Sequence, residues 1–286
     1  MVSELHARLS AFIGIFLIMA LWETARPLRP LLLEKWRRWG VNLSMMVLNT
    51  LIVRLLFSTT VVNIAAHGEQ QGWGILYQFS SPVWLKVLFA LLALDLIVYL
   101  QHLAFHAFPF LWRLHMVHHS DLDFDLTTGI RFHPLEILIS FGIKGGAVVL
   151  LGASPLTVIL FEIILNGTAM FNHSNISLPG QIDRWVRYFL VTPDMHRVHH
   201  SVIRSETNSN FGFNLPWWDR FFRTYHPAPR VELTRMTIGL TQFPDPATQT
   251  LPRLLALPFS GSPGEYPIFL PSKKRKPKVR NLNTRG

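Results

Sequence analysis

The chain of 286 residues contains no cysteine. That excludes disulfides, zinc ribbons, thiolate haem ligation and a thiol nucleophile. Charge is also scarce: Asp, Glu, Lys and Arg supply 15% of the residues, against about 25% in a soluble domain. Hydrophobic residues make up 49% and mean hydropathy is +0.27, so the composition is that of a membrane protein. No H-E-x-x-H is present, which disfavours an intramembrane zinc protease, and there is neither a Gly-rich dinucleotide fingerprint nor a P-loop. The chain thus shows no means of binding its own nicotinamide or flavin, and any electrons must come from elsewhere. Acidic residues are few, 17 against 27 basic ones. Much of the excess sits in one tail, Lys273, Lys274, Arg275, Lys276, Lys278, Arg280 and Arg285. Such runs can bind nucleic acid. With no stacking aromatics or nucleic-acid motif beside it, this one reads as a disordered cytosolic tail against anionic headgroups, and no nucleic-acid partner is expected.

Histidine, by contrast, is concentrated. Ten of the 13 histidines fall between positions 102 and 200. His102 and His106 form H-x-x-x-H; His115, His118 and His119 form H-x-x-H-H; His196, His199 and His200 repeat that second pattern. Residues three and four apart share one face of a helix, so each set points its rings in one direction. Neutral imidazole is a common ligand for Zn, Cu, Fe and Ni. Eight to ten imidazoles exceed the roughly four ligands of a single zinc ion, and two adjacent metals fit the count better. Isolated histidines are usually structural, but three groups with shared faces are not coincidental.

The three boxes, in this order on an apolar chain, resemble the sterol desaturase and fatty acid hydroxylase superfamily. Neighbouring residues sharpen the likeness: Leu111-Trp112-Arg113-Leu114-His115, His118-His119-Ser120-Asp121, Arg131-Phe132-His133-Pro134, Asn172-His173-Ser174-Asn175 and Thr192-Pro193-Asp194-Met195-His196. They are similar to the bacterial branch that includes alkylglycerol monooxygenase-like proteins, over roughly residues 10 to 226. The resemblance implies two iron ions in a non-haem site, dioxygen as co-substrate, a lipid carbon–hydrogen bond as target and an external electron donor: a reductase, a haem-protein carrier or a pterin. It also adds His133 and His173 to the metal ligands, giving His102, His106, His115, His118, His119, His133, His173, His196, His199 and His200.

Apolar runs at about 9–22, 41–66, 83–106, 135–151 and 155–171 predict an all-α, integral-membrane helical bundle, since about 20 apolar residues cross a bilayer. The polar stretch 67–82 reads as a loop on the far side. Arg26, Arg29, Lys35, Arg37 and Arg38 mark their side as cytoplasmic, so the histidine-rich di-metal cap and the C-terminus are expected in the cytosol, in a bacterial inner membrane. Gly152-Ala153-Ser154-Pro155 turns the last two runs into a hairpin, and Lys144 in its first arm argues for a polar interior or interface. We divide the chain into a hydroxylase-like domain over 1–226, a Pro-rich strap over 227–272 with a short amphipathic stretch near Leu251–Leu257, and the basic tail over 273–286.

Carboxylates offer second-tier candidates. Asp95 shares a stripe with Tyr99, His102 and His106, and an intramembrane carboxylate is a functional candidate by default; a helix–helix hydrogen bond is the plainer alternative. Asp194 is a candidate partner for a histidine and a candidate N-cap of the last box, and the two roles are compatible. Asp121, Asp123 and Asp125 mimic the start of a calcium loop, but Leu126 and Phe132 stand where an EF-hand needs Gly and Glu, so they are read instead as acceptors for imidazole N–H groups. The expected activity is hydroxylation of a sterol, fatty acyl or alkyl lipid. Desaturation at the same site is the alternative within the class, and a membrane metal-binding or metal-transport protein the alternative outside it. A transporter would place its ligands near the membrane midplane, whereas these cluster at segment ends.

Overall fold

A computed structural model describes residues 2–57 and 59–269; the basic tail lies outside the described residues. Among them the regular structure is helical, and the only β pairing is an isolated antiparallel bridge between Ser201 and Ile238. In chain order the helices are α1 (Val2–Ala25), α2 (Lys35–Leu56), α3 (Val61–Gln71), α4 (Val83–Ala107), α5 (Pro109–His119), α6 (Pro134–Leu151), α7 (Pro155–Asn172), α8 (Gly180–Val186), α9 (Pro193–His199), α10 (Arg204–Thr207), α11 (Trp217–Phe221) and α12 (Leu251–Ser260).

Proline sets several of these starts. Pro109, Pro134, Pro155 and Pro193 each occupy the first turn of a helix, where a missing N–H costs nothing. Ser154 caps α7 by accepting from the Thr157 N–H, and Thr192 caps α9 by accepting from that of Met195. The N-cap of the last box is therefore Thr192, not Asp194. Among the described residues, five segments are long and apolar enough to cross a membrane: Leu5–Ala25, Lys35–Gln78, Val83–Ala107, Pro134–Leu151 and Pro155–Asn172.

The second of these differs from the single helix expected over 41–66. It begins six residues earlier, at Lys35, and is split into α2 and α3. Phe57 is extended, and the Thr60 side chain caps a new helix by accepting from the Asn63 N–H at 3.2 Å. The expected loop over 67–82 is partly helical as well, because α3 runs on to Gln71 and Ile75–Gln78 forms a 3-10 turn. Gly74 there, at φ 102°, packs so closely on the α6–α7 turn that a Cβ would lie 2.1 Å from the Gly152 nitrogen.

Helix α1 lies along α7, α3 against α6 and α7, and α4 against α5, α6 and α7. The shared interior of α3, α4, α6 and α7 is Val61, Ala65, Leu94, Val148, Val158 and Phe161. Outward faces stay apolar: Leu55 is 83% and Leu150 75% exposed, as suits a lipid solvent. Lys144 finds its polar interior in Glu162, whose carboxylate takes Lys144 Nζ at 2.5 Å and Arg8 NH2 at 2.6 Å.

The long helices bring the same end together. Glu23 at the end of α1 accepts from the N–H groups of Leu126 and Asn175, and Arg38 at the start of α2 pairs with Asp121 and Asp125. The end of α4, the start of α6 and the end of α7 meet the same cap. Beyond α11 the chain crosses this cap, where α12 packs on α5 and α2 around Met45, Trp112, Met116 and Leu254.

Candidate metal centre

Helix α4 ends with His102 and His106, α5 carries His115, His118 and His119, His173 terminates α7, and α9 with its C-cap supplies His196, His199 and His200. These nine rings, all at most 4% exposed, form two groups. His102, His106, His115, His119 and His199 make the first; His118, His173, His196 and His200 make the second. Within each group one ring nitrogen per residue lies within 4.8 Å of the others. The groups adjoin: the rings of His119 and His200 stack at 4.5 Å, and those of His118 and His115 lie 5.2 Å apart.

The donor set fits metal ions. A neutral imidazole carries one proton. His102 places its proton on Nδ1, which donates to the Phe211 carbonyl at 2.8 Å; His115 Nδ1 donates to Glu136 Oε1 at 2.7 Å. Their Nε2 lone pairs then face each other at 3.1 Å, an arrangement that repels unless a cation accepts both. The Nε2 atoms of His118 and His173 meet at 3.2 Å, and those of His173 and His196 at 3.0 Å. Burial, reinforced by neighbouring imidazoles, drives His118, His119, His196, His199 and His200 well below the ordinary histidine range, and burial takes His115 and His173 to about 3. Protons therefore do not compete for these lone pairs near neutral pH.

His133 is not brought to either group. It is the N-cap of α6, its Nδ1 accepting from the Leu135 N–H at 3.2 Å while its Nε2–H donates to the Leu255 carbonyl at 3.2 Å. Both ring nitrogens are engaged, because Pro134 starts the helix that turns the ring away. Asp95 meets no imidazole either: its oxygens accept from Asn214 Nδ2 at 2.7 Å and Trp218 Nε1 at 2.8 Å. Asp194 accepts from the Ser177 hydroxyl at 2.7 Å.

The aspartates after the second box also serve something other than histidine. Asp121 and Asp125 bind the Arg38 guanidinium, and Asp123 accepts from the N–H groups of Leu32 and Leu33. Burial alone would raise the Asp121 carboxyl, but Arg38 and Arg131 outweigh it and hold it at about 2. Arg131 in turn donates to Val117 O, Ser120 Oγ, Asn42 Oδ1 and Gln249 Oε1, fixing the end of α5 that carries His118 and His119.

The carboxylate that does reach a ring is Glu136, fully buried in the first turn of α6. Its signal was a lone acid opening an apolar run, three residues after His133. Asn208 is the other side chain of this kind, its Oδ1 lying 3.1 Å from His106 Nδ1. Nothing in its local sequence announces the contact, which joins residues 102 positions apart.

Residues 87–224 match the fatty acid hydroxylase family. The chain is 32% identical over 162 residues to ornithine lipid hydroxylase OlsE of Rhizobium tropici, covering 56% of this chain and 47% of that protein. It is 31% identical to cholesterol 25-hydroxylase of Homo sapiens over 50% of this chain and 52% of the relative. To alkylglycerol monooxygenase of Homo sapiens it is 27% identical, over 53% of this chain and 32% of the relative. The aligned part thus spans about half, or less, of the length of these curated relatives. No solved structure matches.

Proposed function

This chain belongs to the sterol desaturase and fatty acid hydroxylase superfamily, and on that premise we propose that it is a membrane-bound non-haem di-iron oxygenase that hydroxylates a lipid. The observation that carries the reading is the opposed Nε2 pair of His102 and His115, with both Nδ1 protons already given to acceptors. One iron would be held by the group containing these two rings, the other by His118, His173, His196 and His200. Bound there, the irons supply the dioxygen chemistry that side chains cannot.

The reaction breaks a lipid C–H bond and forms a C–O bond. One oxygen atom of dioxygen enters the lipid and the other leaves as water, with two electrons and two protons from a reduced carrier outside the chain. The protein's own part is positional. Phe211 O, Ser209 O, Asn208 and Glu136 hold four rings in one tautomer, and burial of all nine keeps bulk water away. Helices α4 and α7 end, and α6 begins, at this cap, so a lipid substrate would approach it from the bilayer side. Ornithine lipid hydroxylase, cholesterol 25-hydroxylase and alkylglycerol monooxygenase are each named for a lipid substrate, which supports that class. The basic residues between α1 and α2 lie at the histidine-bearing end, and the positive-inside rule then favours a cytoplasmic cap and C-terminus in a bacterial inner membrane.

The test is to load the protein with iron in nanodiscs of bacterial lipid extract, add oxygen and a reductant, and weigh the lipids. Gain of one oxygen atom is the expected result; loss of two hydrogens would make the protein a desaturase instead. His118→Ala and His199→Ala should each abolish oxidation while the protein stays in the membrane. Full activity in either variant would sink the reading.

A further inference from the structure

The two histidine groups are supported by different chemistry. In the first, four of five rings give their Nδ1 proton to an oxygen: His102 to Phe211 O, His106 to Asn208 Oδ1, His115 to Glu136 Oε1 and His199 to Ser209 O. Only His119 Nδ1 has no partner among the described residues. In the second, only His173 has such an acceptor, Ala169 O at 2.8 Å. The Nδ1 atoms of His118, His196 and His200 are buried without a partner among the described residues. Aromatic side chains flank both groups, Trp112 and Phe211 the first, but in the second they stand largely without such oxygens. His118 lies flat on Phe132, with centroids 4.6 Å apart and planes 9° apart, and His173 and His200 pack on Phe124 at 5.6 and 5.1 Å.

A ring face fixes the plane of an imidazole but adds nothing to its basicity. An oxygen on Nδ1–H fixes tautomer and direction together and makes Nε2 a stronger donor. Asn208 shows how firmly this is set: its Nδ2 donates to Tyr266 O at 2.7 Å, which turns its Oδ1 toward His106. Tyr266 is stacked on Trp112, whose Nε1 donates to Pro263 O. The segment crossing the cap therefore braces the first group.

We infer that the two metal positions are unequal: the group of His102, His106, His115, His119 and His199 fills first and holds tightly, while the group of His118, His173, His196 and His200 fills second and empties first. Glu136 and Asn208 are the positioning residues that create the difference. The inference rests on the reading that both groups bind metal.

The full chain, purified in detergent and stripped with a chelator, is titrated with Co(II) while heat and visible absorption are recorded. Two steps are expected, at least about tenfold apart in affinity, the size of effect such hydrogen-bonded partners have on metal sites. Glu136→Gln and Asn208→Leu should weaken the tight step about tenfold and leave the weak one in place. His196→Ala should keep the tight step and lose the weak one, and His199→Ala the reverse. Two ions entering the wild type in one step of equal affinity would overturn the inference, as would loss of the tight step in His196→Ala. Both outcomes leave the di-metal reading standing, whereas a folded chain that takes up no Co(II) overturns that reading itself.

Discussion

Around Phe161, in the middle of α7, the buried neighbours are Val61, Ala65, Leu94, Val148 and Val158. Around Asp121, at the other end of the bundle, they are Arg38, Asp125, Thr128 and Arg131, all buried. The first region keeps water out with apolar side chains and presents apolar faces to lipid. The second buries charge and must match every donor with an acceptor, because an unpaired buried ion costs far more than an imperfectly filled cavity. What separates them is purpose: the cap must aim nine imidazoles, five of them through hydrogen bonds to oxygen, and dispersion alone has little direction.

The contrast breaks most severely at Arg38. Replacing it with Met leaves Asp121 and Asp125 buried without their cation. A loss of about 3–5 kcal/mol is expected, seen as a lower unfolding temperature in detergent together with reduced metal content. Gly74→Ala attacks the far end instead. At φ 102° and 2.1 Å from the Gly152 nitrogen, a Cβ has no room, and the expected cost is about 1–3 kcal/mol. Metal content per folded chain should stay at the wild-type value, which an intact cap requires. Trp112→Phe removes one hydrogen bond from the crossing segment, Trp112 Nε1 to Pro263 O. About 1 kcal/mol is expected, with faster proteolysis within 227–269 as the readout. Leu55→Val, on a face 83% exposed, should shift stability by less than about 0.5 kcal/mol; a large shift would show that α2 meets a partner there.

The same contrast governs what could be read from the chain. Spans were legible because hydropathy is local: α4, α6 and α7 lie within two residues of the expected bounds at either end. The start of α2 was not, since Lys35, Arg37 and Arg38 argue against an apolar helix until Asp121 and Asp125, more than 80 residues on, are seen to receive Arg38. The break at Phe57 turned on one threonine cap inside a continuous apolar run. Eight histidines converge on the faces their spacing suggested, because an i, i+3, i+4 pattern fixes a face without knowledge of the rest; His173, which joins them, had no such pattern and came from the resemblance alone. His133 followed no such pattern, and the proline after it made it a cap. The partners of the rings were the least legible. Phe211 O and Ser209 O are backbone atoms that any residue would supply, and Asn208 finds His106 only through the fold. Glu136, a lone acid at the start of an apolar run, carried the one local signal among them, yet the sequence pointed first to Asp95, Asp194 and the aspartates after the second box.

The most direct test of the account is the metal content of the folded protein, measured by mass spectrometry on full-length chain purified from iron-supplemented cells. Close to two irons per chain are expected in the wild type and close to one in His196→Ala and in His199→Ala, each variant having lost one of the two groups. Less than one transition-metal ion per folded wild-type chain, after iron reconstitution, would contradict the di-iron reading.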